Sequence, residues 1–127
     1  MFTGLNVFRM AHAMATHAGQ RQALVAQNMA NADTPGYHAR DIESFADAWR
    51  AEKSGMQATR PGHLGASDGA SGRYREIETD TPVDPNGNAV SLELEILRSV
   101  EVKRQHDRAI AIYKSHLNVL RASLGRG

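Results

Sequence analysis

Glycine and proline are spread so unevenly along this 127-residue chain that they set its outline before any other residue is weighed. No proline precedes Pro35, and neither glycine nor proline occurs between Gly87 and Gly125. Three of the four prolines and most of the glycines fall between Ser54 and Asn88. Proline removes a backbone donor and clashes with the preceding helical turn, and glycine loses the most conformational entropy. Long helices are therefore permitted only in the proline-free stretch from Leu5 to Asn31, whose one internal glycine is Gly19, and in the stretch between Gly87 and Gly125. The expected architecture is mainly α. Long N- and C-terminal helices pair as a coiled-coil-like hairpin, joined by an irregular, Gly/Pro-rich middle with at most short β structure. The expected division is residues 1–53 (first helix, turn and short arm), 54–90 (flexible loop) and 91–127 (second helix), all within one structural domain.

The first stretch, from about Leu5 to Asn31, carries Phe8, Met10, Ala11, Met14, Ala15, Ala18, Val25, Met29 and Ala32 largely at three- and four-residue steps, the spacing of an amphipathic helix. Only Arg9, Arg21 and Asp33 are charged before Arg40, so such a helix requires neighbours. It is expected to end at Ala32-Asp33-Thr34-Pro35-Gly36, because the residue before proline is pushed out of the helical region and Pro-Gly favours a turn. The segment from His38 to Lys53 fits either a short helix or an extended arm. Within the Gly/Pro-rich middle, Tyr74 to Thr79 permits a short strand.

Asp84-Pro85-Asn86-Gly87-Asn88 is a turn sequence, and Ser91 followed by Glu93 and Glu95 places a capping hydroxyl and acids at a helix start. The helix should run to about Ser123, with Gly125 as the terminating glycine. Ile96, Val100, Lys103, Asp107, Ile110, Tyr113, Leu117, Leu120 and Leu124 form a near-heptad line, apolar at both ends and polar in the middle. Leu92, Leu97, Ile112 and Val119 widen the apolar surface beyond what one neighbour covers.

Hydrophobic residues make up 41% of the chain but aromatics only 6%. The apolar content is therefore mostly Ala, Leu, Val and Met, a helix-forming set. Fifteen basic against 14 acidic residues leave a formal charge of +1, without the long-range attraction on which nucleic-acid binding relies. Cysteine is absent, which excludes disulfides, thiol catalysis and thiolate metal sites. Arg9, His12 and His17 interrupt the apolar residues of the N-terminus, so a cleaved secretory leader is not expected, and no stretch approaches the ~20 apolar residues of a membrane span.

The chain offers little catalytic chemistry. His12 and His17 stand about 140° apart around a helix, His106 and His116 are also misaligned, and no H-E-x-x-H set occurs, so no metal is expected. Asp84-x-Asn86-x-Asn88 with Glu95 partly imitates a calcium loop, but Ala89 stands where the invariant glycine belongs, which leaves a turn followed by a helix cap. The Gly65 to Gly72 run has no following lysine and no strand-to-helix setting, so it is not a phosphate cradle. No serine has nucleophile context, and Glu76 and Glu78 sit in exposed-looking sequence. Neither a catalytic residue, a cofactor nor a small-molecule substrate is expected.

One segment exceeds generic helix logic: Ala26-Gln27-Asn28-Met29-Ala30-Asn31-Ala32-Asp33-Thr34-Pro35-Gly36-Tyr37. It resembles the N-terminal signature of the flagellar axial proteins, the rod, hook and hook-associated families, at Asn28, Ala30, Asn31, Thr34, Pro35, Gly36 and Tyr37. Asn28 and Asn31 are suited to satisfy backbone groups at a helix end, and Tyr37 supplies a ring with a polar tip. The short chain, Tyr37-His38-Ala39-Arg40-Asp41-Ile42 followed by Phe45, and the run from Asp80 into Glu95 look like the FlgB family of basal-body rod proteins. The resemblance departs at His38, where lysine is commoner, and at the charged middle from Lys103 to Arg108.

The resemblance implies a structural subunit that polymerises through its terminal helices into the proximal rod, the periplasm-spanning drive shaft. Implied partners are other copies, other rod subunits, the adaptor between MS ring and rod, and the flagellar type III export apparatus, which takes its substrates without a cleaved leader. Phe2, Leu5 and Phe8 are the expected early export contacts. The expected assembly interface sets Met14, Ala18, Val25 and Met29 against Ile110, Tyr113, Leu117 and Leu120, and a lone chain should be incompletely ordered. The alternative reading is a helical-hairpin binding module or secretion chaperone, which would be stably folded alone and remain in the cytoplasm.

Overall fold

A computed structural model describes residues 2–56 and 74–125. In chain order its elements are α1 (Phe2–Ala30), β1 (Arg40–Ile42), α2 (Phe45–Met56), β2 (Glu76–Glu78) and α3 (Leu92–Leu124). At ~1.5 Å per residue α1 is about 43 Å long and α3 about 50 Å. Their antiparallel pairing dominates the fold, as the glycine and proline distribution predicts.

Both ends of α3 follow from sequence. The Ser91 hydroxyl accepts a hydrogen bond from the Leu94 N–H at 3.4 Å, and Glu93 and Glu95 occupy the first turn. At the other end the Gly125 N–H donates to the Arg121 carbonyl, but Gly125 keeps a right-handed φ of −71°. The last turn therefore closes without the left-handed conformation for which a terminal glycine is usually selected.

The segment after the turn is both an arm and a helix. Residues 40–42 are extended and pair antiparallel with β2, Asp41 lying opposite Ile77, and α2 follows from Phe45. The short strand allowed between Tyr74 and Thr79 is β2. The glycine-rich run from Gly65 to Gly72 lies outside the described residues.

The seam between the long helices is narrow and built from small side chains. Ala11, Ala18 and Val25 recur every seven residues on α1, and Glu95, Val102 and Ala109 recur every seven on α3; all six are buried. Small residues let two helices approach closely, which favours dispersion contacts over bulk burial. The near-heptad line read from the sequence on α3 is displaced by one residue from the line buried within the chain. Ile96, Val100, Ile110, Tyr113, Leu120 and Leu124 are all exposed, from 36% at Ile110 to 79% at Leu124.

Candidate functional site: the motif junction and the helix faces

Where α1 ends, the chain must turn, form β1 and leave room for the start of α3, and the buried amide of Asn28 organises all three. Its nitrogen donates to the Arg40 carbonyl at 2.7 Å and to the Glu95 carboxylate at 3.1 Å. Its oxygen accepts from the Arg40 N–H at 3.0 Å and the Tyr37 hydroxyl at 3.1 Å. All four hydrogen-bonding capacities of the amide are used. The Glu95 carboxylate, fully buried, is also paired with Arg98. An unpaired carboxylate there would carry a heavy desolvation cost, so the group is tolerable only because both partners are in place.

A second buried amide, Asn88, holds the turn. Its nitrogen donates to the carbonyls of Asn31 at 3.0 Å and Thr34 at 2.7 Å, and its oxygen accepts from the Val90 N–H. Asn31 bonds back to the Gln27 carbonyl and accepts from the Thr34 hydroxyl, closing the helix end locally. Gly36 and Gly87 both adopt positive φ, +75° and +83°, and the turns that they make lie against each other. A Cβ on Gly87 would stand 3.3 Å from the Gly36 Cα. The Gly36 N–H donates to the Asn86 carbonyl, and Tyr37 and Ala39 exchange backbone bonds with Ala89. The supposed calcium-loop residues Asp84, Asn86 and Asn88 are thus engaged in a turn. Among the described residues no group of three His, Asp or Glu side chains is placed to hold a metal ion.

Farther along the seam two more polar ties fix the register. Arg21 of α1 clasps Asp41 of β1 through its Nε (3.0 Å) and Nη2 (3.1 Å), and the same Nη2 reaches Glu101 of α3 at 3.1 Å. Burial works against the charge on Arg21, but the bonds and charges of Asp41 and Glu101 outweigh it and hold the guanidinium above its ordinary pKa. His17 is buried: its Nε2–H donates to the Glu43 carbonyl, and its Nδ1 accepts from Gln105, each at 2.7 Å. The Gln105 nitrogen also donates to the Met14 carbonyl, which can only accept, so the amide orientation and the imidazole tautomer follow together. Phe45 and Tyr74 meet the His17 ring edge-on, and the Tyr74 hydroxyl donates to the Ala13 carbonyl. Burial, and then the charges of Glu52 and Glu43, raise the pKa of Tyr74 above 10.0.

The motif residues Asn28, Asn31, Thr34, Gly36 and Tyr37 converge on this junction, while Ala30 and Pro35 are exposed beside it. Asn28 departs from the capping role expected of it: it leaves the helix end and bridges to β1 and α3. Glu95, expected only as a first-turn acid, is the least exposed side chain of α3. Its partnership with Asn28 spans 67 residues, and the available signal was the seven-residue step from Glu95 to Val102 and Ala109.

Of the expected interface residues, Ala18 and Val25 are buried, Met14 and Leu117 half-buried, and Met29, Ile110, Tyr113 and Leu120 exposed. The antiparallel register brings Phe8 against Tyr113 and His116, with ring centroids 5.1 and 5.0 Å apart. It sets Met14 beside Gln105, Arg21 beside Glu101 and Asn28 beside Glu95. Within one chain, therefore, Val25 and Met29 lie near the start of α3, far from Leu117 and Leu120. Leu5 is largely exposed; the side chain of Phe2 lies outside those described.

No family model matches the chain. It is 34% identical over 116 residues to the flagellar basal body rod protein FlgB of Agrobacterium fabrum, covering 87% of each chain. Over 106 residues it is 30% identical to FlgB of Cereibacter sphaeroides, covering 82% of each. A shorter match, 50% identical over 40 residues, joins it to 29% of FlgB of Escherichia coli. The likeness to the first two runs through nearly the whole length of both partners, and the chain belongs to the FlgB family of flagellar basal body rod proteins.

Proposed function

We propose that this chain is a structural subunit of the proximal flagellar rod, without catalytic activity, that polymerises through its long helices into the shaft transmitting torque. The observation that carries the reading is the exposed line on α3, from Leu92 through Ile96, Val100, Tyr113 and Leu120 to Leu124, in a member of a rod-protein family. A 33-residue helix with its larger apolar residues outward and small or polar ones inward has its principal hydrophobic surface still to bury. Neighbouring subunits of the tube complete that burial, and the motif junction keeps the two helices in one register while they do so.

In this reading residues 1–53 and 91–127 are the assembly elements and 54–90 joins them. The partners are further copies, other rod subunits, the adaptor at the MS ring and the flagellar type III export apparatus. No helix among the described residues is long and apolar enough to cross a membrane. Of the expected interface residues, exposed Met29 of one chain meets exposed Ile110, Tyr113 and Leu120 of another, whereas Ala18 and Val25 are spent on the hairpin's own seam. A charge at Leu117 abolishes assembly, whereas one at buried Val25 breaks the hairpin first.

The test is complementation of a deletion strain of the native bacterium, with an immunoblot of purified hook–basal bodies. Full-length chain enriched there and lost in the Leu97→Glu, Leu120→Glu double variant supports the reading. A chain confined to the cytosol, in cells that still swim, contradicts it.

A further inference from the structure

The two ends of the hairpin carry similar apolar surface and opposite charge. At the junction end Val83, Leu92, Ile96 and Leu97 are exposed. Around them stand Asp33, Glu78, Asp80, Asp84 and Glu93, all exposed and none in an ion pair among the described residues. Arg75 is exposed there too, while Arg40 and Arg98 are taken up by Glu76 and Glu95. From the middle of α3 onward the sign reverses. Lys103, Arg104, Arg108, Lys114 and Arg121 are exposed and without an ion pair among the described residues, and the one acid in that stretch, Asp107, stands beside His106. Tyr113, Val119, Leu120 and Leu124 are exposed between these cations.

Helix-dipole complementarity accounts for Glu93 and Arg121, which sit in the first and last turns of α3, but not for the others, which lie outside those turns. Nor do the two sets neutralise each other within one chain. Glu93 and Arg121 are separated by about 42 Å along the helix, several times the ~8–10 Å over which charges interact at physiological salt. A second copy displaced along the helix axis would bring them together and cover both apolar patches at once.

We infer that the acidic junction end of one copy docks on the basic distal half of α3 of a second copy of this chain. The contact joins unlike surfaces, so it leaves one free end of each kind and cannot close as a symmetric dimer. Like ends repel, which disfavours head-to-head and tail-to-tail pairing. The inference rests on the rod-subunit reading and adds the two surfaces through which copies meet and the polarity of the contact.

Two charge-reversed forms of the full chain test it by sedimentation velocity at low and high salt. One carries Asp80→Lys, Asp84→Lys and Glu93→Lys; the other carries Arg108→Glu, Lys114→Glu and Arg121→Glu. The parental chain is expected to self-associate, more weakly as salt rises. Each variant alone should associate roughly tenfold more weakly or worse, and an equimolar mixture should regain parental association, because its ends are again opposite in sign. The single substitutions Asp84→Lys and Lys114→Glu, milder for folding, should each weaken association about two- to fivefold and rescue one another when mixed. Parental association by either triple variant alone, or a mixture no tighter than its components in both the triple and the single pairs, overturns the inference. Such a result alongside a chain still recovered from hook–basal bodies leaves the rod reading intact. Absence from hook–basal bodies removes the rod reading itself.

Discussion

The junction around Asn28 and the distal half of α3 solve opposite problems. At the junction nearly every polar group is spoken for: Asn28, Asn88 and Glu95 are buried, and their bonds reach α1, the turn, β1 and α3. Along distal α3 Tyr113 and His116 meet Phe8 of α1, yet Tyr113 stays half exposed and Val119, Leu120 and Leu124 face outward. Hydrogen bonds are directional and costly to leave unmade, so they specify one geometry within a chain. Apolar burial is non-directional and accepts whatever neighbour arrives. The difference teaches that this molecule separates specification from cohesion, fixing its own register at one end and leaving much of its larger apolar surface uncovered at the other.

The largest expected effect comes from removing the centre of the junction. Asn28→Leu orphans the Glu95 carboxylate, the Tyr37 hydroxyl and the Arg40 backbone together, and should cost about 3–5 kcal/mol in urea denaturation. A loss under ~1 kcal/mol would dissolve the contrast between the two regions. Asn88→Ala, which frees the carbonyls of Asn31 and Thr34, should cost about 2–3 kcal/mol by the same measurement. Gly87→Ala, with φ at +83° and a Cβ 3.3 Å from Gly36, should cost about 1–2 kcal/mol.

On the other side of the comparison, Leu124→Glu should change the stability of the free chain by less than ~0.5 kcal/mol and still lower rod incorporation in an immunoblot of basal bodies. The smallest effect concerns Tyr74. Its folded-state pKa lies above that of the unfolded chain, so its contribution is fully present below pH 10 and fades as pH rises through the folded value. Tyr74→Phe should therefore flatten the alkaline decline in stability, visible by following helicity against pH.

The helices were legible because their signals are local: an uninterrupted stretch, the Ser91 cap and the Pro35-Gly36 stop. The motif was legible as a recurring pattern of side chains, but its mechanics were not. Asn28 reads as a helix-end residue from its neighbours, and only the return of the chain after Asn88 brings Glu95 to it. The face of α3 that packs within the chain was hidden for a related reason. Apolar periodicity normally marks the side that packs within the chain, and the near-heptad line on α3, Ile96 through Leu124, marks here a side left largely open. The line that is buried, Glu95, Val102 and Ala109, mixes an acid with small residues and carries almost no hydrophobic signal. That inversion is intelligible for a subunit whose core is completed by its neighbours, because hydrophobic periodicity reports burial in the assembly as readily as burial in the chain.

The absence of cysteine gives the most direct test of the central claim. Leu97→Cys and Leu120→Cys place single thiols on the outward face of α3, and their labelling by a water-soluble maleimide is compared in the purified chain and in isolated hook–basal bodies. The account predicts rapid labelling of both thiols in the free chain and strong protection of both in the rod. Equal labelling of both thiols in the two states would contradict it, because the apolar face of α3 would then remain in water after assembly.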